Sequence, residues 1–124
     1  MGTGETVRAV KSSEIFGLDP DIRYVAVNQG GQITTMEQSP TWPSYNPDDT
    51  DRMEELIVNP AVIELTRSRG NLDLDGLRFV AIRYGLQWQL VFPYANGHLS
   101  VGVELAADVS AVAEKVAGHL GLPA

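Results

Sequence analysis

The sequence contains no cysteine. That excludes disulfide staples, thiolate nucleophiles and sulfur-ligated metal centres, and it leaves the redox compartment open. No apolar run is long enough to cross a bilayer, and no charged leader precedes an apolar stretch. The cytoplasm is therefore the default location, and no membrane partner is expected. Basic residues are scarce, with nine Lys and Arg against sixteen Asp and Glu, for a formal net charge of -7. Such a surface repels phosphate backbones and anionic headgroups, so no nucleic-acid partner is expected either. Only two histidines are present. His98 follows Asn-Gly on the polar face of an expected strand, and His119 sits near the end of an expected helix, so both read as structural or surface residues.

What the chain does have is apolar residues, 44% of the total over 124 positions, enough for one core. The reading is a single domain over 1–124, with flexible ends at about 1–5 and 121–124. Its clearest pattern is "LQWQLVFPYANGHLSVGVEL" at 86–105. Leu86, Trp88, Leu90 and Phe92 alternate with Gln87 and Gln89, and the alternation resumes with Leu99, Val101, Val103 and Leu105. Two antiparallel strands with one apolar face follow, joined by a tight connection in which the Asn-Gly pair tolerates positive φ.

The other elements fall around this hairpin. A short helix is expected over 6–16, ended by Gly17 and the Asp19-Pro20 break. Strands over 22–28 and 33–38 flank a Gly30-Gly31 turn, and Pro40, Pro43 and Pro47 make 39–47 an irregular loop. Asp48, Asp49 and Asp51 place negative charge at a helix start before Met53, Leu56 and Ile57. Asn59-Pro60 then interrupts the pattern, which predicts a kinked or broken helix with a second piece ending at Arg69-Gly70. Residues 77–84, apolar at nearly every position, read as a strand covered on both faces. Asp108 opens a last helix with Val109, Val112, Ala113, Val116 and Leu120 on one face, closed by Gly121.

Candidate chemistry is thin. Asn71-Leu72-Asp73-Leu74-Asp75-Gly76 reproduces the front half of a calcium loop, but its twelfth position, which needs a bidentate Glu, is Ile82. Asn46, Asp48, Asp49, Asp51, Glu54 and Glu55 lack the glycine turn of a cation loop and read as helix-start charge. Ser100, His98 and several Asp are present without a nucleophile elbow, so hydrolysis is a minor reading. Gly30-Gly31 opens no helix and is a hairpin turn rather than a phosphate cradle. Met1-Gly2 with Thr6 matches only the loose myristoylation pattern. No cofactor or metal is expected, and the chain reads as a non-enzyme. Trp88 and Phe92 read as core, the alternative being the lining of a small-molecule pocket.

The order αββαβββα, with a Gly-Gly first hairpin, a central helix, a three-strand meander and a terminal helix after "VELAADVSAVAEKV", resembles the Roadblock/dynein light-chain domain of the profilin-like group. The resemblance implies an α+β fold with one five-stranded antiparallel sheet and helices on both faces. It also implies a homodimer that pairs central helices and neighbouring edge strands, with a small GTPase or similar switch protein as partner. A profilin-like sensor with a pocket near Trp88 is the alternative. Geometry supports the dimer separately. Packed helices sit ~10 Å apart while a five-strand sheet is roughly 20 Å wide, so one helix leaves sheet uncovered and a second copy supplies the simplest cover. Met53, Leu56, Ile57, Val62 and Ile63 are the expected contact residues.

Overall fold

A computed structural model describes residues 9–39 and 50–123. The expected loop at 39–47, the start of the first helix, the Met1-Gly2 end and Asn46, Asp48 and Asp49 lie wholly or largely outside those residues. In chain order the elements are α1 (Ser12–Phe16), β1 (Ile22–Gln29), β2 (Gln32–Gln38), α2 (Asn59–Asp73), β3 (Val80–Arg83), β4 (Trp88–Tyr94), β5 (Gly97–Val103) and α3 (Val109–Leu120). A π-helical turn, Glu54–Val58, leads directly into α2. The strands form one antiparallel sheet in the order β2-β1-β5-β4-β3. The order αββαβββα and the five-stranded α+β architecture are thus as the sequence implies.

Alternation on the three central strands separates two unlike faces. Val25, Val27, Leu90, Phe92, Leu99 and Val101 point to α1 and α3, where they are buried with Ile15, Val112, Val116 and Leu120. Each such side chain contributes roughly 1.5–3 kcal/mol of transfer free energy, so this layer drives folding. α3 is well specified: Asp108 accepts the Ala111 amide at 3.1 Å, and Gly121 ends the helix in the left-handed region at φ 73°. The opposite face presents Tyr24, Asn28, Gln89, His98 and Ser100 to the π turn and α2, and all five are buried.

Several expectations need correction. Among the described residues α1 is one turn, since residues 9–11 are not helical. Residues 77–84 are not a strand covered on both faces: β3 is short, it lies at the sheet edge, and its side chains alternate between half-buried and exposed. Hydrophobic composition alone does not place a strand in the centre. The hairpin turn is Ala95-Asn96, with Ala95 at φ 51°, and Gly97 already pairs with Tyr94 as the first residue of β5. A Cβ at Gly97 would stand 1.8 Å from the Asn28 carbonyl oxygen, so this glycine is required by close approach of β1 rather than by the turn.

The central helix neither breaks at Asn59-Pro60 nor ends at Gly70. Asn59 keeps helical angles, and its amide bonds to the Glu54 carbonyl five residues back. The wider register gives the Pro60 ring the room that an α-helical turn would deny it. The helix then runs through Gly70 to Asp73. Gly70 is buried there, because a Cβ would meet the returning chain at Gly76 and Leu77 at 3.1 Å.

Candidate functional site

The π turn aims one side chain into the sheet and its neighbours away from it. Glu55 is 0% exposed. Its carboxylate accepts from Ser100 Oγ at 2.6 Å, Tyr24 OH at 2.7 Å, His98 Nε2 at 2.8 Å and Asn59 Nδ2 at 3.2 Å, with Gln89 Nε2 at 3.5 Å. Asn59 Nδ2 also donates to Ser100 Oγ at 2.9 Å, while Asn59 Oδ1 has no partner. A buried carboxylate is tolerable only with such a set of donors, since its desolvation costs several kcal/mol. An ionised carboxylate only accepts, so His98 Nε2 then carries the hydrogen. Tyr24 lies across Gly102, where a Cβ would come within 2.8 Å of the tyrosine Cβ. Burial, reinforced by Glu55, holds the Tyr24 phenol well above its ordinary range, so it remains a donor.

This geometry binds a helix; it does not activate a nucleophile. Ser100 and His98 converge on the same oxygen of Glu55 rather than on each other, and both are buried. Ser100 is fully buried and donates to a carboxylate that it shares with four other donors.

Glu54, Leu56 and Ile57 face the other way. Glu54 accepts the Tyr84 phenol at 2.9 Å, tying the turn to the end of β3, and Asp51 accepts from Gln38 Nε2 at 3.1 Å. Burial raises the Glu54 and Asp51 carboxyls above their ordinary range, and the Tyr84 phenol is pushed up to about 12 by burial and by Glu54. Met53 and Ile57 are 52% and 64% exposed, and Leu65 is 72% exposed. Ile57, Ala61 and Leu65 follow at four-residue steps, which makes an outward apolar stripe. Leu56 is also exposed and Val62 is half-buried. Ile63 leaves the expected contact set, because at 6% exposure it packs inward on the protein's own sheet.

No protein-family model and no curated protein matches the sequence. Solved structures do. A Roadblock/LC7 domain from Streptomyces avermitilis superposes with a TM-score of 0.66 at 18% identity, over 88% of this chain and 88% of that one. The gliding protein mglB from Thermus thermophilus superposes with a TM-score of 0.57 at 13% identity, over 98% of this chain and 93% of that one. The fold is Roadblock-like.

Within that fold the remaining candidates separate clearly. Asn71 to Asp73 form the last turn of α2 instead of a cation loop, Asp73 pairs with Arg69 at 2.5 Å, and Asp75 pairs with Arg78 at 3.1 Å. Among the described residues no three His, Asp or Glu side chains gather in a way that could hold a metal ion. Phe92 is enclosed, its ring 5.7 Å from that of Phe79, and Trp88 packs half-buried at the margin of the core with its indole N–H toward the Leu105 carbonyl at 3.3 Å. Neither ring lines either of two surface clefts. One, of about 230 Å³, lies between α2 and the two hairpin turns, lined by Leu56, Pro60, Ile63, Arg67, Asn96 and His98 among others. A shallower groove of about 520 Å³ runs between α1 and the β2 edge. Gln89 is buried beneath the π turn.

The Glu55 cluster escaped the sequence reading because Glu55 stood among helix-start acids. One signal was available. Gln89, His98, Ser100 and Asn28 of three central strands alternate onto one face, and such a face needs a polar cover.

Proposed function

We infer that the chain is a cytoplasmic, non-catalytic interaction module that associates with a second copy of itself, and that the paired surface acts on a switch protein such as a small GTPase. The observation that carries this reading is the outward stripe of Met53, Ile57 and Leu65 on the central helix. Leucines and isoleucines aligned at helical spacing on a protein with this net charge are a contact surface in need of cover. A two-fold supplies it with one patch used twice. The Roadblock-like fold supports the same reading, since its resemblance implies helix pairing and a GTPase-linked role.

Sedimentation equilibrium at micromolar concentration tests the association. Twice the chain mass is expected, and Ile57→Glu and Leu65→Glu should each return the chain to the monomer while thermal melts stay cooperative, because neither side chain is in the core. A wild-type monomer under those conditions overturns the reading.

A further inference from the structure

The two layers that clamp the sheet are held by different chemistry. On the α1 and α3 side the contact is aliphatic and aromatic. On the other side, Ile63 is the only buried hydrophobic residue that α2 contributes, and the buried hydrogen bonds to the sheet gather on Glu55 and its neighbour Asn59. An apolar layer loses stability in proportion to the contact removed. A buried polar cluster fails as a unit, because a change at its common acceptor strands every donor aimed there.

We propose that Glu55 is a charge-gated latch for the central helix: its carboxylate, while ionised, holds the π turn and α2 on the sheet, and its protonation releases them while the α1/α3 layer stays folded. A carboxylic acid turns the charge-assisted bonds from Tyr24, Ser100 and Asn59 into weaker neutral ones, and its own hydrogen obliges a hydroxyl or the His98 ring to turn round and accept. The titratable groups around it are Tyr24 from β1, His98 from β5, Asp51 and Glu54 from its own helix, and Tyr84 from the end of β3 through Glu54. β4 presents the neutral Gln89. Tyr24 is a donor throughout. Protonating Asp51 or Glu54 relieves repulsion with Glu55 and favours attachment, and a protonated His98 strengthens its bond to the carboxylate. Release on acidification therefore requires the proton on Glu55 itself.

Segment-resolved hydrogen exchange on the full chain, corrected for intrinsic rates, between about pH 7.5 and about pH 3 tests this, since a single carboxyl shifts the equilibrium tenfold only about one pH unit below the ordinary carboxylate range. In the wild type, protection over 59–73 should fall about tenfold or more with acidification while β5 and α3 keep theirs. Glu55→Gln should show the weakly protected helix already at neutral pH and no further loss on acidification. His98→Gln keeps the carboxylate and should keep the pH dependence. The latch is overturned if helix protection in the wild type ignores pH, if α2, β5 and α3 lose protection together, or if Glu55→Gln retains the wild-type profile. A Glu55→Gln chain that does not fold at all also overturns it, since β5 and α3 are required to survive release.

Discussion

The Asn28 side-chain amide donates to the main-chain carbonyl of Glu55 at 2.9 Å. In the register set by the Asn59 amide on Glu54, that carbonyl should receive the amide of residue 60, which is proline and has none. Asn28 supplies the missing donor from β1, and its own Oδ1 accepts the Gly31 amide at 3.0 Å to hold the first hairpin turn. One side chain thereby closes a turn and completes a helix.

Asn28→Ala should accordingly cost about 1–3 kcal/mol, the penalty of leaving a buried carbonyl unpaired. The same substitution in a Pro60→Ala background should cost measurably less, since residue 60 then carries an amide for the carbonyl. A double-mutant cycle in urea reads the difference as a coupling energy. Strict additivity would break the link between Asn28 and Pro60.

Three glycines make a graded test of backbone packing. Gly97→Ala drives a methyl into the Asn28 carbonyl and should cost about 3 kcal/mol or more, enough to threaten folding. Gly31→Ala meets nothing within 4 Å but must hold φ 86°, and it should cost on the order of 1 kcal/mol. Gly118→Ala, in an exposed position of α3 with open space around it, should stabilise by about 0.4–1 kcal/mol. Melts of the three variants should keep that order.

Much of the fold was legible because its signals are local. Alternation marked β4 and β5, the Gly30-Gly31 turn marked the first hairpin, and Asp108 and Gly121 marked both ends of α3. The misread features of the central helix depend on distant partners. Pro60 looked like a break because its replacement donor, Asn28, lies in another strand. Gly70 looked like a helix end, yet its small size serves the returning chain at Gly76 and Leu77. Glu55 resembled its acidic neighbours until Tyr24, His98 and Ser100 were brought to one point. Burial of a charge is decided by convergence, and convergence has no sequence period.

The core assignment of the aromatics now divides. Phe92 is enclosed and Trp88 lies half-buried at the margin beneath the Arg83 guanidinium, 5.9 Å from its ring. Phe92→Ala should cost about 3–5 kcal/mol through the cavity it leaves, and Trp88→Ala clearly less, because solvent can enter the space. Denaturant midpoints decide. A Trp88→Ala loss as large as that of Phe92→Ala would restore Trp88 to the centre of the core.

The acid limb of stability should report on Asp19. Lys115 Nζ lies 2.8 Å from Asp19 Oδ2 and holds this carboxyl below its ordinary value of 3.8, against the opposing effect of burial and with help from the Asp21 amide. A carboxyl whose pKa is lowered by folding stabilises the fold above its unfolded value, and that contribution is lost as pH falls through the folded value. Lys115→Met keeps the apolar stem and removes the charge. It should therefore lower stability at pH 7 by up to about 1 kcal/mol, the scale of a half-exposed pair, and by little at an acid pH below the folded value of Asp19, where the carboxyl is protonated in both states. Urea melts at the two pH values measure the difference. An equal penalty at both would mean that Lys115 acts through packing alone, and that the ion pair contributes nothing to the folded state.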